Sequence, residues 1–250
     1  MAVNTEKNSY TIMFAAIMVI VVGSLLAFFA SSLKERIGEN ERLEKQQNIL
    51  YAMGVNENED EGSVNFVSTD KVAGEFSKYI KDQLVIEGES ITSDPNAYLI
   101  DLKAEETRAK NGKTRRLPVF IGEKDGKKNY IIPMRGKGLW DAIWGFVALD
   151  ETMVVQGVYF DHKGETPGLG ANIKQRYFMD DFIGESILDN DRYAGIAVAK
   201  GNNDPTNEDK DDNEVDALAG ATITGDGLSA MIKESVNLYK PYLETIRVKN

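Results

Sequence analysis

The first long pattern in the chain is a block with almost no polarity. From Asn8 to Leu33 no charged residue occurs, and Tyr10–Ala30 is apolar apart from Thr11, Gly23 and Ser24. About 20 such residues carry a helix across the hydrocarbon core, so residues 10–33 are expected to cross a membrane once, after a tail at 1–9. The competing reading is a secretory signal peptide cleaved near Ala30-Ser31-Ser32. The apolar stretch exceeds the usual length for that, and only Lys7 supplies a basic start, which favours an uncleaved anchor. Residues 34–53 carry charges of both signs and predict a largely solvated helix that continues from the span and ends at Gly54. The run NENEDEG, Asn56–Gly62, reads as an acidic linker, so a juxtamembrane segment is expected at 34–62 and a domain at 63–250.

Within that domain the spacing of apolar positions changes from helical to alternating and back. Asp70 is placed to cap a helix whose apolar face is Val72, Phe76, Tyr79, Ile80 and Leu84. Strand-like runs follow at Leu117–Ile121, Tyr130–Met134, Trp140–Leu149 and Met153–Phe160, with a further short one at Ile196–Lys200. Leu228, Ile232, Val236, Tyr239 and Leu243 then repeat at helical intervals, with Pro241 expected to kink or restart the last turns. Strands flanked by helices predict an α+β domain behind a single amino-terminal anchor.

Composition removes several function classes. The net charge of −11, from 29 basic and 40 acidic residues, argues against a nucleic-acid partner, whose phosphates such a surface repels. There is no cysteine and a single histidine, His162, so disulfides, thiolate metal sites, cysteine-ligated iron–sulfur clusters and histidine-rich metal sites are all excluded within this chain. No metal ligand set is expected. Redox chemistry here must come from an organic cofactor or from another subunit.

Some candidate motifs fail on inspection. Gly136-Lys-Gly138 begins like a dinucleotide loop, but Asp141 stands where the third glycine belongs and a predicted strand follows. The stretch from Asp209 resembles a calcium loop, yet Glu214 occupies the position that needs glycine and Gly220 the one that needs a bidentate glutamate. A solvated loop fits better. Three stretches carry more. HKGETPGLG, His162–Gly170, concentrates glycines beside Glu165 and Thr166. GKGLWDAIWGFVALD places Trp140 and Trp144 on one face of a predicted strand, as a packed sheet face or a platform for a planar ligand. DALAGATIT, Asp216–Thr224, lines up three small residues before a threonine at a predicted helix start.

GKGLW, ETPGLG and D-x-x-[S/T]-G-A-T, in that order after one span, resemble the FMN-binding domain found in the C subunit of the sodium-translocating NADH:quinone reductase. The resemblance covers nearly the whole chain. Similar domains occur in the G subunit of the related ferredoxin-oxidising complex, which the motifs alone separate poorly. The resemblance implies an electron-carrier subunit whose FMN is esterified through its phosphate to Thr222. Asp216 opens the motif, Gly220 and Ala221 precede the acceptor, and Ala219 stands where Ser or Thr is usual. It further implies that Trp140, Glu165, Thr166, Gly168 and Leu169 line the flavin, with Lys200 near its polar edge. The expected partners are the other subunits of the complex, a flavin transferase and the membrane.

No residue is expected to catalyse turnover by itself, and the isolated chain is not expected to oxidise NADH. Basic residues after the span, Lys34, Arg36, Arg42 and Lys45, would by count place the domain in the cytoplasm. The resemblance implies the opposite, a single-pass protein of the bacterial cytoplasmic membrane with its domain on the exterior, periplasmic side. The alternative from another class is a membrane-tethered sensor that holds a non-flavin ligand.

Overall fold

A computed structural model describes residues 7–59, 62–204, 207–210 and 212–248. Most of the expected amino-terminal tail, two residues of the acidic linker and one residue of the calcium-like stretch lie outside them. The chain divides into two units, at residues 1–42 and 43–250. In the first, the apolar block lies within α1 (Asn8–Ala52), a helix long and apolar enough to cross a membrane.

The second unit begins at Leu43, twenty residues before the expected domain start. The reason is packing. Gln46 and Asn48 through Ala52 are buried, so the last turns of α1 belong to the domain core rather than to a solvated spacer. Gly54, with φ +74°, ends the helix as expected. After α2 (Val72–Tyr79) comes β1 (Ile80–Glu87), where the sequence pattern had continued the helix through Leu84. Asp70 does not cap α2; its N-cap is Lys71, with no side-chain bond. The strand wins because every residue from Asp82 to Glu87 pairs across to residues 116–121, contacts that local spacing cannot reveal.

The sheet continues through β2 (Ser90–Ser93), β3 (Arg116–Lys124), β4 (Lys127–Lys137), β5 (Ala142–Leu149) and β6 (Val155–His162), with α3 (Leu102–Lys110) between β2 and β3. Its spatial order is β2-β1-β3-β4-β5-β6, antiparallel throughout. A short helix α4 (Arg176–Asp180) follows, then two small ribbons. β7 (Leu188–Asp189) pairs with β8 (Arg192–Tyr193), and β9 (Ala197–Val198) lies parallel to β10 (Glu214–Val215). Of the strand expected at Ile196–Lys200, only β9 forms.

The closing helix α5 (Thr222–Ile246) runs unbroken through Pro241 and buries Leu228, Ile232, Val236, Tyr239 and Leu243, the predicted face. Tyr239 anchors it by donating to the Pro118 carbonyl at 2.8 Å. At its other end Gly227 leaves no space for a side chain, because a Cβ there would overlap the Lys137 carbonyl. That contact brings the first turns of α5 against the end of β4, where the GKGLW turn begins.

Candidate functional site

Three loops converge at the amino end of α5. The GKGLW segment leaves β4 after Lys137 and turns tightly over residues 138–141: the Gly138 N–H donates to the Asp141 carbonyl at 2.9 Å, and β5 starts only at Ala142. Trp140 and Trp144 therefore do not share a strand face. Trp140 is 67 % exposed, and its indole N–H donates to the Thr166 hydroxyl at 3.2 Å. The ETPGLG loop is wound back on itself, with the Leu169 and Ala171 N–H groups both donating to the Thr166 carbonyl at 3.1 Å. Gly168 supplies the φ of +78° that this turn needs.

Glu165 ties the loops together. It is 4 % exposed, and its own N–H donates to His162 Nδ1 at 3.1 Å. One carboxylate oxygen accepts from the Trp140 N–H at 2.9 Å, the other from the Thr224 hydroxyl at 2.5 Å. A Cβ on Gly138 would stand 2.6 Å from the first oxygen, and one on Gly170 2.6 Å from the second, so two glycines close over the group. Burial pushes this carboxyl up, but the Thr224 hydroxyl and the backbone N–H groups of Trp140, Leu139 and Asp141 outweigh it and hold the group below the usual carboxylate range. Glu165 thus forms the buried floor of the site.

Above that floor is a cavity of about 260 Å³ lined by Leu139, Glu165, Thr166, Leu169, Gly170 and residues 220–224. Thr222, the first residue of α5, is exposed in it. Thr224 lies inside the helix and is 1 % exposed. The N-cap is Ala221, with no side-chain hydrogen bond, and the first turn holds no acidic residue. The leading N–H groups of α5 are therefore left without a capping side chain, a ready position for an anion. Gly220, at φ +68°, turns the chain into the helix, and a Cβ there would meet Leu169 at 2.8 Å. Leu139, Leu169 and Ile223 are exposed in that lining, and the exposed Trp140 adjoins it through its bond to Thr166.

An uncapped helix start, an exposed hydroxyl and an apolar rim fit the phosphate and ring of a flavin nucleotide. The cavity is smaller than the ~300–1,000 Å³ that encloses a drug-sized ligand, so part of a flavin would remain open to a facing surface.

Four expected site residues are outside the lining: Trp140, which adjoins it through the Thr166 hydroxyl, Gly168, within the ETPGLG turn, Asp216 and Lys200. Asp216 does not line the cavity; its carboxylate accepts from the Asn203 and Asp204 N–H groups at 3.1 Å and organises the preceding acidic loop. Lys200 is also outside the lining, with Nζ 4.0 Å from Asp226, one helical turn along α5 from Thr222. Sequence reasoning passed over Leu139 and Ile223, which flank the Trp140 and Thr222 already singled out. It also missed the bond between Glu165 and Thr224, which are 59 residues apart.

A family model described as an FMN-binding domain matches residues 138–237, from the GKGLW turn into α5. The C subunit of the Na(+)-translocating NADH-quinone reductase of Pseudomonas aeruginosa is 30% identical over 240 residues, covering 92% of this chain and 91% of that protein. Its counterpart in Yersinia pestis is 28% identical, covering 98% and 95%. A crystal structure of the same subunit from Parabacteroides distasonis superposes with a TM-score of 0.71 at 28% identity, covering 87% of this chain and 98% of that one. The NqrC of Shewanella oneidensis gives 0.66 at 25%, covering 83% and 98%. The antiparallel sheet, the three converging loops and these matches along nearly the full length agree: the chain belongs to the NqrC family, the C subunits of the Na(+)-translocating NADH-quinone reductases.

Proposed function

We propose that this protein is an electron-carrier subunit of a membrane-bound sodium-translocating NADH:quinone reductase, holding FMN as a phosphoester on Thr222. The observation that carries the reading is the exposed Thr222 hydroxyl at an uncapped helix start, inside a cavity with an uncovered apolar rim. The flavin, when bound, supplies the redox chemistry. The protein supplies position: the α5 start offers N–H groups and positive dipole character to the phosphodiester, and Trp140, Leu139, Leu169 and Ile223 offer apolar surface to the ring. Gly220 and Ala221 keep the approach to Thr222 open.

Ester formation from free FMN would release water and run uphill in water, so the donor must carry its phosphate as an anhydride, a flavin dinucleotide. Thr222 Oγ bonds to phosphorus and gives its proton to a base of a flavin transferase. The anhydride P–O bond breaks, and the nucleoside monophosphate leaves with the electron pair. One helix spans the bacterial cytoplasmic membrane and the domain lies on its exterior side. Sodium passage belongs to partner subunits, because a single apolar helix has no polar path for an ion.

The test is in-gel flavin fluorescence after denaturation, in a host that provides the transferase. The wild-type chain should fluoresce and Thr222→Ala should not, while both remain folded. A fluorescent Thr222→Ala band sinks the attachment site.

A further inference from the structure

We infer that Glu165 and Thr224 form a positioning pair that presents Thr222, and Thr222 alone, to the transferase; the inference rests on the attachment reading above. Two hydroxyls stand two residues apart at the start of α5. Both residues border the cavity, but on a helix their side chains point about 200° apart, and they differ in exposure. Thr222 is exposed, whereas Thr224 is 1 % exposed and donates its proton to Glu165 at 2.5 Å. An ionised carboxylate only accepts hydrogen bonds, so it fixes the Thr224 hydroxyl as donor and sets its rotor.

What this bond restrains is the first turn of α5. That turn has no capping side chain of its own, since Ala221 offers none. The Thr224–Glu165 bond attaches it to the ETPGLG loop, and the second Glu165 oxygen attaches both to the GKGLW turn through the Trp140 N–H at 2.9 Å. The Glu165 N–H is held in turn by His162 Nδ1. Without the pair, the end of the helix is free to fray, and the Thr222 hydroxyl loses its fixed place relative to the cavity.

The experiment uses the full chain in detergent, purified transferase and flavin adenine dinucleotide. It follows the rate and the final extent of flavin attachment and maps the modified threonine by mass spectrometry. Thr224→Val keeps shape and removes the hydroxyl; Thr224→Ser keeps the hydroxyl. A misplaced acceptor slows the rate constant, by about tenfold or more for Thr224→Val, while the final extent on folded chain stays near completion. Thr224→Ser should recover to within about threefold of wild type. A purely structural loss would lower the final extent with the folded fraction and leave the rate of the folded chain unchanged. If Thr224→Val does not fold, Glu165→Gln, which presents an amide N–H₂ to Thr224, takes its place. A folded Thr224→Val or Glu165→Gln chain modified at Thr222 with the wild-type rate overturns the inference. Labelling of Thr222→Ala would instead overturn the attachment reading beneath it.

Discussion

Gly170→Ala is a sharp probe of the buried floor, because the backbone at Gly170 does not lie at positive φ and the added methyl is the whole perturbation. That methyl would stand 2.5 Å from Thr224 Oγ1 and 2.6 Å from Glu165 Oε2. Ordinary carbon–oxygen contact begins at roughly 3.3 Å, so each oxygen must retreat by about 0.7 Å. Side-chain ends usually yield cheaply, but these two are bonded to each other at 2.5 Å and are buried.

Retreat therefore breaks or strains a hydrogen bond to a charged acceptor, costing about 1.5–3 kcal/mol, on top of an overpacking penalty of about 1–3 kcal/mol. The entropic gain of alanine over glycine returns less than about 1 kcal/mol. A net loss of about 2–6 kcal/mol corresponds to a fall in Tm of roughly 4–24 °C for a domain of this size. Thermal and urea unfolding of the flavin-free chain measure it. In a Thr224→Ala background the nearer oxygen and its bond are gone while the Glu165 contact stays, so the same substitution should cost about 1.5–3 kcal/mol less than it does in the wild-type chain. A Gly170→Ala chain within about 0.5 kcal/mol of wild type, or equal losses in the two backgrounds, would refute the account of the floor.

Two further outcomes follow from burial elsewhere. Burial pushes the Glu185 carboxyl up to about 7, although Asn207 donates to it at 2.8 Å; the side chain is 0 % exposed. The folded state therefore holds a proton that the unfolded state releases near its ordinary value, so stability falls as pH rises from about 4.5 to 7, by up to about 3 kcal/mol. Glu185→Gln should flatten that fall in urea titrations across the window; an unchanged slope would count against it. Truncation tests where the domain begins. Residues 43–250 should express as a folded unit, whereas 63–250 lacks Ile49, Leu50, Tyr51 and Ala52, all buried. At about 1.5–3 kcal/mol per large apolar side chain, that loss rivals the whole stability of a domain, and a cooperative melt of 63–250 would contradict it.

The elements legible in the sequence are those whose own residues decide them. The anchor and α5 declare themselves by long apolar patterns, and β3 to β6 by runs of branched and aromatic residues, misplaced by a few residues at their ends. β1 was hidden because Ile80 and Leu84 also sit at helical spacing from Phe76, and only pairing with β3 chooses between the two. Trp140 read as strand because the turn that holds it is closed by a backbone bond from Gly138. The site was legible as three motifs but not as an arrangement. Nothing local to Glu165 says that it will be buried, since its donors come from Trp140 and Thr224 in two distant segments. Asp216 sits in the right motif and serves the neighbouring loop instead.

The missing cap at Ala221 has a meaning for the protein's life history. A helix of this length ordinarily gains about 0.5–2 kcal/mol from a capping side chain, and a negative group at its start adds up to about 2 kcal/mol. The chain as synthesised forgoes both, and on the attachment proposed here the phosphodiester provides them later. Maturation then finishes a fold that translation leaves incomplete. A chain still awaiting its flavin lacks that contribution, so its helix start, held in place by the Thr224–Glu165 bond, is less stable than that of the finished protein.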